Sequence, residues 1–193
     1  MRAPISIVIP TLNAENTLPG CLAALVEGLD AGLVRELVVS DGGSDEATVA
    51  LAEEWGAEVV TGQASRGGQL RRGCAAAKGE WLLVVHADTQ LAPGWGEAAM
   101  AHMATQKAGW FQLRFDRGKR GLAIWANMRS RLGLPYGEQG LLLPKRLYER
   151  VGGYPDIPLK EDVELARALR GQLVAVGADA IIGAKNFRAR GRA

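Results

Sequence analysis

Polar residues with metal- and phosphate-binding chemistry follow three short apolar runs of this chain. The run 81–85 ends in His86-Ala87-Asp88-Thr89, the run 5–9 ends in Pro10-Thr11-Leu12-Asn13, and the run 37–39 ends in Ser40-Asp41-Gly42-Gly43-Ser44-Asp45. Unbroken apolar runs are typical of strands buried in a parallel sheet. Because ligands of open α/β sheets bind beyond the carboxyl ends of such strands, we expect the three segments to converge on one crevice.

Asp88 is the candidate metal ligand of this crevice. Magnesium and manganese often take only one or two protein carboxylates and complete their shell with water and substrate phosphates. One aspartate on a rigid strand end can therefore suffice. The alternative is that Asp88 caps the turn after the strand through Thr89. His86 is a candidate ligand or phosphate donor, although a lone histidine at a strand end is more often a packing residue.

The acidic turn 41–45 is a candidate nucleotide contact. Its glycines, Gly42 among them, permit close approach of the backbone to a ligand. The carboxylate of Asp41 is suited to accept hydrogen bonds from a ribose or a base. The alternative is a structural turn in which Ser44 or Asp45 caps the next helix. We favour Asp41 as the ligand-binding acid and Asp45 as the cap.

Arg66-Gly67-Gly68-Gln69 opens a predicted helix and is a candidate phosphate site. Backbone amides at a helix N-terminus favour anions, and the Arg66 side chain adds a cation. The segment lacks the glycine spacing of a dinucleotide fingerprint or a Walker loop, which disfavours nicotinamide and kinase functions. The next two arginines, Arg71 and Arg72, are equally consistent with solvated charges.

Glu161 and Asp162 begin another predicted helix. Acidic residues there oppose the helix macrodipole favourably without any catalytic role. Asp162, however, shares one helical row with Leu165 and Leu169, the apolar stripe of this helix. A carboxylate that faces the interior beside a substrate is suited to remove a proton from a sugar hydroxyl.

Alternating strand and helix signals position these residues. In the first half, strands are predicted at 5–9, 36–40, 58–61 and 81–85, and helices at 17–29, 47–55 and 68–78. In the second half, helices are predicted at 95–105, 122–132 and 145–151 and from residue 161 onward, and strands at 109–115 and 140–144. The alternation in the first half favours a parallel sheet with right-handed crossovers.

The composition is that of one globular domain. The chain has 193 residues, 48% of them hydrophobic, and a formal net charge of +2, which is too small to indicate nucleic acid binding. Cys21 and Cys74 lack metal-binding spacing and suit a reducing compartment. No signal-peptide pattern or bilayer-length apolar run is found, so a soluble, cytoplasmic protein is expected, and contact with a membrane surface is compatible with it. The basic segment 185–192 is expected to be a solvated tail.

Taken together, these segments resemble the family 2 glycosyltransferases over most of the chain. Residues 8–13 resemble the family's opening strand, 38–48 its nucleotide-binding acidic turn, and His86-Ala87-Asp88 its metal-binding D-x-D. Gly152-Gly153-Tyr154-Pro155 and Glu161-Asp162 resemble its Gly-Gly-aromatic stretch and its E-D acceptor motif. Ser40 stands where many relatives have a first aspartate, and His86 replaces the first acid of D-x-D. The whole combination looks closest to a small bacterial subgroup of uncertain substrate.

The resemblance implies a fold and a role for each candidate residue. The fold is the glycosyltransferase A type, a single α/β domain with a mostly parallel, Rossmann-like sheet flanked by helices, with a nucleotide-binding half at about 1–92 and an acceptor-binding half at about 93–193. The implied donor-binding residues are Pro10, Thr11, Asn13, Asp41, Gly42, Arg66, Gly67, Gln69, His86 and Ala87. Asp88 binds Mg²⁺ or Mn²⁺, Asp162 is the base with Glu161 beside it, and Glu138, Gln139 and Gly140 lie on the acceptor side.

The implied reaction is an inverting, metal-dependent transfer of a sugar from a nucleoside diphosphate sugar to a hydroxyl acceptor. The chain has no Gln-x-x-Arg-Trp motif, so transfer of single sugars is expected rather than polymer synthesis. Asp41, Asp88 and Asp162 should then face a common pocket. Two alternatives are a non-catalytic nucleotide-sugar-binding module, favoured by His86, and a sugar-phosphate nucleotidyltransferase. The nucleotidyltransferase is disfavoured because no Gly-rich loop bearing Lys or Arg follows the first strand.

Overall fold

The structure is a computed structural model that describes residues 2–116, 118–133, 135 and 137–183. Its strands are β1 (Ile5–Thr11), β2 (Val34–Asp41), β3 (Glu58–Thr61), β4 (Trp81–Val84), β5 (Thr89–Leu91), β6 (Ala108–Phe115), β7 (Leu141–Pro144) and β8 (Leu173–Ile182). Its helices are α1 (Leu18–Asp30), α2 (Glu46–Glu54), α3 (Arg66–Ala76), α4 (Trp95–Met103), α5 (Arg120–Arg131), α6 (Lys145–Arg150) and α7 (Glu161–Ala168). A 3₁₀ turn at Gly137–Gln139 precedes β7.

Every strand and helix predicted from the sequence is present, with ends shifted by two residues or fewer. Two strands, β5 and β8, were not predicted. The expected basic tail at 185–192 lies outside the described residues, as does Tyr136 of the acceptor-side loop.

The sheet is mixed, and most of its strands point the same way, as predicted. The strand order is β3-β2-β1-β4-β7-β6-β8-β5. The first four strands are mutually parallel, whereas β7 is antiparallel to both of its neighbours. On the other side, β8 runs parallel to β6 and β5 antiparallel to β8. The parallel half puts the carboxyl ends of β1, β2 and β4 at one edge, as the crevice hypothesis requires.

The sheet is curled. β5 pairs with β8 at the far end of the strand order, although it begins only five residues after β4 ends. Five extended residues span at most about 17 Å, whereas four strand spacings in a flat sheet amount to about 19 Å. The connection is also turned, because Thr89 N donates to His86 O at 3.0 Å. The far edge of the sheet must therefore fold back toward the carboxyl end of β4, beside α1.

Alternating side chains of the central strands build a core on each face of the sheet. Ile5, Ile7 and Ile9 of β1 face α1 and α4, whereas Val8 faces α3 and α7 on the opposite side. Cys21 and Cys74 are buried, one in each core, and are not disulfide-bonded. Burial raises the pKa of Cys74 to about 12 and that of Cys21 further, so both thiols remain protonated. Within the described ranges, none of the helices is long and apolar enough for a bilayer crossing.

Candidate active site

A cavity of about 430 Å³ opens beyond the carboxyl ends of β1 and β4. Its volume lies within the range of small-molecule and cofactor sites. It is lined by Pro10, Thr11, Leu12, Ala14, Thr17, Ala64, Ser65, Arg66, Gln69, His86, Ala87 and Pro158. Six residues predicted to bind the donor therefore lie together here: Pro10, Thr11, Arg66, Gln69, His86 and Ala87. Four others, Asn13, Asp41, Gly42 and Gly67, do not line it.

Asp41 is buried, and its carboxylate is hydrogen-bonded to neighbouring residues of the chain. One carboxylate oxygen accepts hydrogen bonds from Thr11 Oγ1 at 2.9 Å and from the Ser44 hydroxyl, and the other accepts from Gly43 N at 2.7 Å and Ser44 N at 2.8 Å. Burial alone raises the pKa of Asp41, but the hydrogen bonds outweigh it and hold this pKa below its ordinary value. Since these four donors fill the acceptor sites of a carboxylate, Asp41 holds the cavity wall, and its contact with the nucleotide stays a prediction.

Asn13 ties the loop after β1 to the loop after β2. Its backbone N donates to Ser44 Oγ at 2.8 Å, and its Oδ1 accepts from Asp45 N at 3.0 Å. It does so with a φ of 50°, in the left-handed region that Asn tolerates. Asp45 stands at the N-cap of α2, as predicted, but its side chain makes no capping hydrogen bond. Asn13 is thus a link between two loops of the cavity wall.

The side chain of Gln69, a residue of α3, connects the ends of β1 and β2 by hydrogen bonds. Its Nε2 donates to Thr11 O at 2.6 Å and to Ser40 O at 3.3 Å. A Cβ added at Gly42 would lie 2.9 Å from the Gln69 side-chain amide. Gly42 therefore makes room for the Gln69 side chain, and its contact with a ligand stays a prediction.

The glycines at the start of α3 make room for the loop 155–158. Gly67 N donates to Ile157 O at 3.0 Å, and a Cβ at Gly67 would lie 2.0 Å from Pro155 O. Ser65 caps the helix by accepting from Gly68 N, and its hydroxyl donates to Asp156 at 2.7 Å. Because these amides already have protein partners, the predicted affinity for phosphate at this helix start depends on the Arg66 side chain.

Arg66 joins two other motifs at the end of the cavity. Its Nε lies 3.4 Å from Glu161 Oε1, and its Nη2 lies 3.4 Å from His86 Nδ1. The Glu161 side chain is only 2% exposed, and its Oε2 makes no hydrogen bond among the described residues. Burial raises the pKa of Glu161, partly opposed by Arg66. A cation and a buried acid therefore meet where three separate segments of the sequence converge.

Asp162 is held by Gly137, which lies close to the His86 ring. Its Oδ2 accepts from Gly137 N and its Oδ1 from Val163 N, each at 2.8 Å. A Cβ at Gly137 would lie 2.8 Å from His86 Cε1 and 3.5 Å from Asp162 Oδ2. Asp162 is partly exposed, in contrast to Glu161. The E-D pair thus combines a buried acid that pairs with Arg66 and a partly exposed acid that accepts from Gly137.

The predicted acceptor-side residues form the wall behind this acid. Gln139 is fully buried: its Oε1 accepts from Ser130 Oγ at 2.6 Å and its Nε2 donates to Phe111 O at 3.0 Å. Gly140 has a φ of 66°, and Thr89 Oγ1 donates to the backbone oxygen of Glu138 at 3.2 Å. These residues fix the position of Gly137, which in turn holds Asp162. Their direct contact with an acceptor stays a prediction.

Asp88 lines a neighbouring cavity of about 200 Å³, together with Asn16, Thr17 and Asp116. Thr17 also lines the larger cavity, so the two adjoin. In the described part of the chain, no group of three or more His, Cys, Asp or Glu residues is placed to hold a metal ion. With Asp88 as one carboxylate, a Mg²⁺ or Mn²⁺ ion here would take most of its ligands from substrate phosphates and water, and the role of Asp88 as its protein ligand stays a prediction.

The expected common pocket for three carboxylates is not observed, because none of the three lines the donor-sized cavity and no two of them share another cavity described here. Asp41 is held by Thr11 and Ser44, Asp88 lines the adjoining cavity, and Asp162 lines a small cavity with Gly137 and Tyr154. Sequence reasoning missed Asp116, which directly follows β6 and lines the same cavity as Asp88. A polar residue directly after an apolar strand was the signal that could have found it.

Comparison with known proteins shows a match at the level of a family. The model of the family described as Glycosyl transferase family 2 matches residues 6–154. A glucosyl-3-phosphoglycerate synthase of Mycolicibacterium smegmatis is 36% identical over 93 residues, which cover 44% of this chain and 30% of that protein. The chain spans about a third of the length of the curated relatives that it matches.

Solved structures at lower identity share the fold. S. aureus TarS 1-349 in complex with UDP-GlcNAc has a TM-score of 0.73 at 15% identity, covering 93% of this chain and 58% of that one. The mannosyltransferase PcManGT from Pyrobaculum calidifontis, in complex with GDP-Man and Mn²⁺, has a TM-score of 0.69 at 19% identity, covering 95% and 57%. These likenesses confirm the predicted α/β architecture of the glycosyltransferase A type.

Proposed function

Because this chain belongs to glycosyl transferase family 2, we propose that it transfers single sugars from a nucleoside diphosphate sugar to a hydroxyl group of an acceptor. The observation that carries the proposal is that two residues lining the donor-sized cavity, Arg66 and His86, also connect it to the E-D pair. Arg66 pairs with Glu161, and Gly137, which donates to Asp162, lies close to the His86 ring. Residues 1–92 then form the donor half and residues 93–193 the acceptor half.

The donor half holds the nucleotide and its diphosphate. Thr11 and Gln69 line the cavity in positions fixed by Asp41 and by the ends of β1 and β2. The guanidinium of Arg66 would supply a positive charge for the diphosphate, and its side chain, 28% exposed, lines the cavity. A divalent cation at Asp88, Mg²⁺ or Mn²⁺, would supply further neutralisation of the departing diphosphate.

Asp162 acts as the general base. Its carboxylate takes the proton of the acceptor hydroxyl while the hydroxyl oxygen forms a bond to the anomeric carbon of the donor sugar. The bond between that carbon and the diphosphate oxygen breaks with its electron pair on the diphosphate. Attack from the face opposite the leaving group inverts the anomeric configuration, through a transition state with oxocarbenium character. The hydrogen bonds from Gly137 and Val163 orient the carboxylate without blocking access to it.

The proposal also includes a divalent cation as cofactor and a reducing compartment as the location of the protein. Manganese is present with GDP-Man in the mannosyltransferase of the same fold, which supports a divalent cation here. The two free, buried thiols, Cys21 and Cys74, support a reducing compartment such as the cytoplasm. A hydroxyl acceptor is the class of nucleophile that a carboxylate base can activate.

Release of nucleoside diphosphate from a panel of uridine, guanosine and thymidine diphosphate sugars tests the proposal. The assay is run with a panel of hydroxyl acceptors, in Mn²⁺, in Mg²⁺ and in chelator, and donor binding is followed in parallel by thermal shift. Turnover with at least one donor that is lost in chelator is expected. Donor binding without turnover on every acceptor would instead identify a nucleotide-sugar-binding module, the alternative that His86 favours.

A further inference from the structure

A second cavity, of about 390 Å³, opens between α3 and α6. Its volume lies within the range of small-molecule sites. It is lined from α3 by Arg71 and Cys74, and from α6 by Lys145, Tyr148 and Glu149. No described residue lines both this cavity, called here the α3–α6 cavity, and the donor-sized cavity. The α3–α6 cavity is therefore distinct from the site proposed for the sugar donor.

Helix α3 contributes to the two cavities with different faces. Arg66 and Gln69 line the donor-sized cavity, whereas Arg71 and Cys74 line the α3–α6 cavity. Each residue of the second pair follows one of the first pair by five positions, which corresponds to about 140° around a helix of 3.6 residues per turn. A ligand in the α3–α6 cavity would therefore lie on another side of α3 from the donor.

Two cations of the α3–α6 cavity lie beside a buried floor, one from each helix. The floor is formed by Cys74 and Tyr148, which are 1% and 7% exposed. Burial raises the pKa of both groups, and the opposing groups include Arg71 for the pKa of Tyr148 and Lys145 for the pKa of Cys74. Within the described residues, neither Arg71 nor Lys145 forms a salt bridge. Both positive charges are therefore available to a ligand.

The two cations offer complementary hydrogen-bond donors. Lys145 Nζ donates to Ala77 O, and since an ammonium group has three donors, two remain for a ligand. Arg71 is exposed and presents a planar guanidinium, which binds phosphate oxygens in pairs. The amides of Gly152 and Gly153, which also line the cavity, already donate to backbone carbonyls of α6 at 3.1 Å and 3.0 Å. Recognition in this cavity therefore depends on the two side-chain cations.

The cavity adjoins the segment that leads to the wall of the donor-sized cavity. Tyr148 OH accepts from Tyr154 N at 3.1 Å, and a Cβ added at Gly153 would lie 2.6 Å from Tyr148 Cζ. The loop 155–158 follows this contact, and its Pro158 lines the donor-sized cavity. A ligand that contacts Tyr148 would therefore touch the residue that positions the start of this loop.

The charges of the two helices select an anionic ligand. Helix α3 carries three arginines and no acid, and α6 carries three cations and one acid, the exposed Glu149. A phosphate dianion gains more than a carboxylate from two nearby cations, because the Coulomb energy scales with charge. We propose that the α3–α6 cavity binds the phosphate group of a small phosphorylated molecule other than the sugar donor. The proposal does not depend on the proposed sugar transfer.

Titration of the ¹⁵N-labelled full chain with pyrophosphate, in chelator, tests the proposal, because amide chemical shifts report on each cavity separately. Pyrophosphate should shift the amides of Ala75, Gly152 and Gly153 in a saturable manner. Arg71→Gln should raise the Kd measured at these amides by roughly 10-fold or more, because a charge-assisted contact is lost. Glu149→Gln should lower this Kd by about twofold to fivefold, because a like charge is removed from the site of the anion.

Arg150→Gln provides the matched control, because Arg150 is an exposed cation of α6 that does not line the cavity. Its Kd should stay within about twofold of the wild-type value. Arg66→Gln removes the cation of the donor-sized cavity, so it should weaken the binding measured at the amide of Ala87 and leave the Kd of the α3–α6 cavity unchanged.

Two outcomes overturn the proposal. One is the lack of saturable shifts at Gly152 and Gly153 in the wild type, and shifts confined to the donor-sized cavity would leave the proposed sugar transfer intact. The other is an equal change of Kd in Arg71→Gln and Arg150→Gln, which would indicate a diffuse effect of surface charge. Unchanged amide shifts of each variant away from its substitution verify folding.

Discussion

Arg66 Nε lies 3.4 Å from Glu161 Oε1, so the first residue of α3 and the first residue of α7 meet across the crevice. The same guanidinium lies 3.4 Å from His86 Nδ1, at the end of β4. One cation thus connects the start of α3, the residue His86 after β4 and the E-D pair. Its charge is shared between a buried acid and, in the proposed function, a diphosphate.

Arg66→Gln should weaken both stability and donor binding. The variant leaves Glu161 buried without its cation, which costs about 1–3 kcal/mol of unfolding free energy. The donor KM should rise roughly 10-fold or more because a charge-assisted contact is lost. Urea unfolding and initial-rate kinetics measure the two effects. An unchanged donor KM would contradict the proposed contact between Arg66 and the diphosphate. The control Arg66→Lys keeps the positive charge and should recover part of the loss in stability and part of the loss in donor binding.

Glu161→Gln should change how stability depends on pH. Since burial raises the pKa of Glu161 in the folded state, the protonated acid is favoured there. Wild-type stability is therefore lost as the pH rises from the ordinary glutamate pKa of about 4.3 through the raised value. Glutamine does not titrate, so the variant should gain stability relative to the wild type over that window. Urea unfolding of both proteins at stepped pH measures the difference, and a constant difference contradicts the assignment.

Asp162→Asn should lower kcat by roughly 10²-fold to 10⁴-fold, because the base is lost from the transition state. Donor binding, measured by calorimetry, should change by less than about threefold. Glu164→Gln is the matched control, as Glu164 lies on the same helix and pairs with Arg167 at the surface. Near-normal turnover of Asp162→Asn removes the base assignment, whereas equal losses in both variants point to damage of α7.

Asp88→Asn should raise the Mn²⁺ concentration for half-maximal activity by roughly 10-fold or more, because the protein carboxylate in the cation's shell is lost. Asp116→Asn, in the same cavity, should have a smaller effect if Asp116 only adds to the local negative charge. Titration of activity with Mn²⁺ distinguishes them. If Asp30→Asn, at an exposed helix end, shifts the titration as far as Asp88→Asn does, Asp88 is not the ligand.

Gly67→Ala should destabilise the protein by about 2–4 kcal/mol, because the new Cβ would lie 2.0 Å from Pro155 O. The loop 155–158 must then move away from α3, and the cavity wall at Pro158 moves with it. Gly121→Ala is the control: nothing lies within 4 Å of its added Cβ, and alanine in a helix gains about 0.5–1 kcal/mol. Thermal and urea unfolding measure both, and equal stabilities contradict the crowding at Gly67.

Local patterns predicted nearly all of the fold because the core strands and helices have clear periodicity. The run 81–85 is apolar throughout and is buried on both faces of the sheet, so β4 was evident. β5 has only three residues, and its place is set by the curl of the sheet, which no local pattern records. β8 contains Gly177 at a φ of 90° beside an irregular register against β6, so its alternation is interrupted.

The composition of the site was easier to predict than its contacts. Arg66, His86 and Asp162 were evident as polar residues at strand ends and helix starts. Their meeting depends on the packing of α3 against α7, which are nearly a hundred residues apart in the chain. The direction of Asp41 likewise depends on donors from Thr11 and Ser44, which compete with any ligand for its oxygens.

The reversed direction of β7 separates two sets of residues that serve one crevice. Val84, at the end of β4, is paired with Leu141, at the beginning of β7. The predicted donor-side residues thus follow strands that end at this edge. The predicted acceptor-side turn instead precedes a strand that begins there. The change of direction between β4 and β7 thus brings segments from both halves of the sequence to the same edge of the sheet.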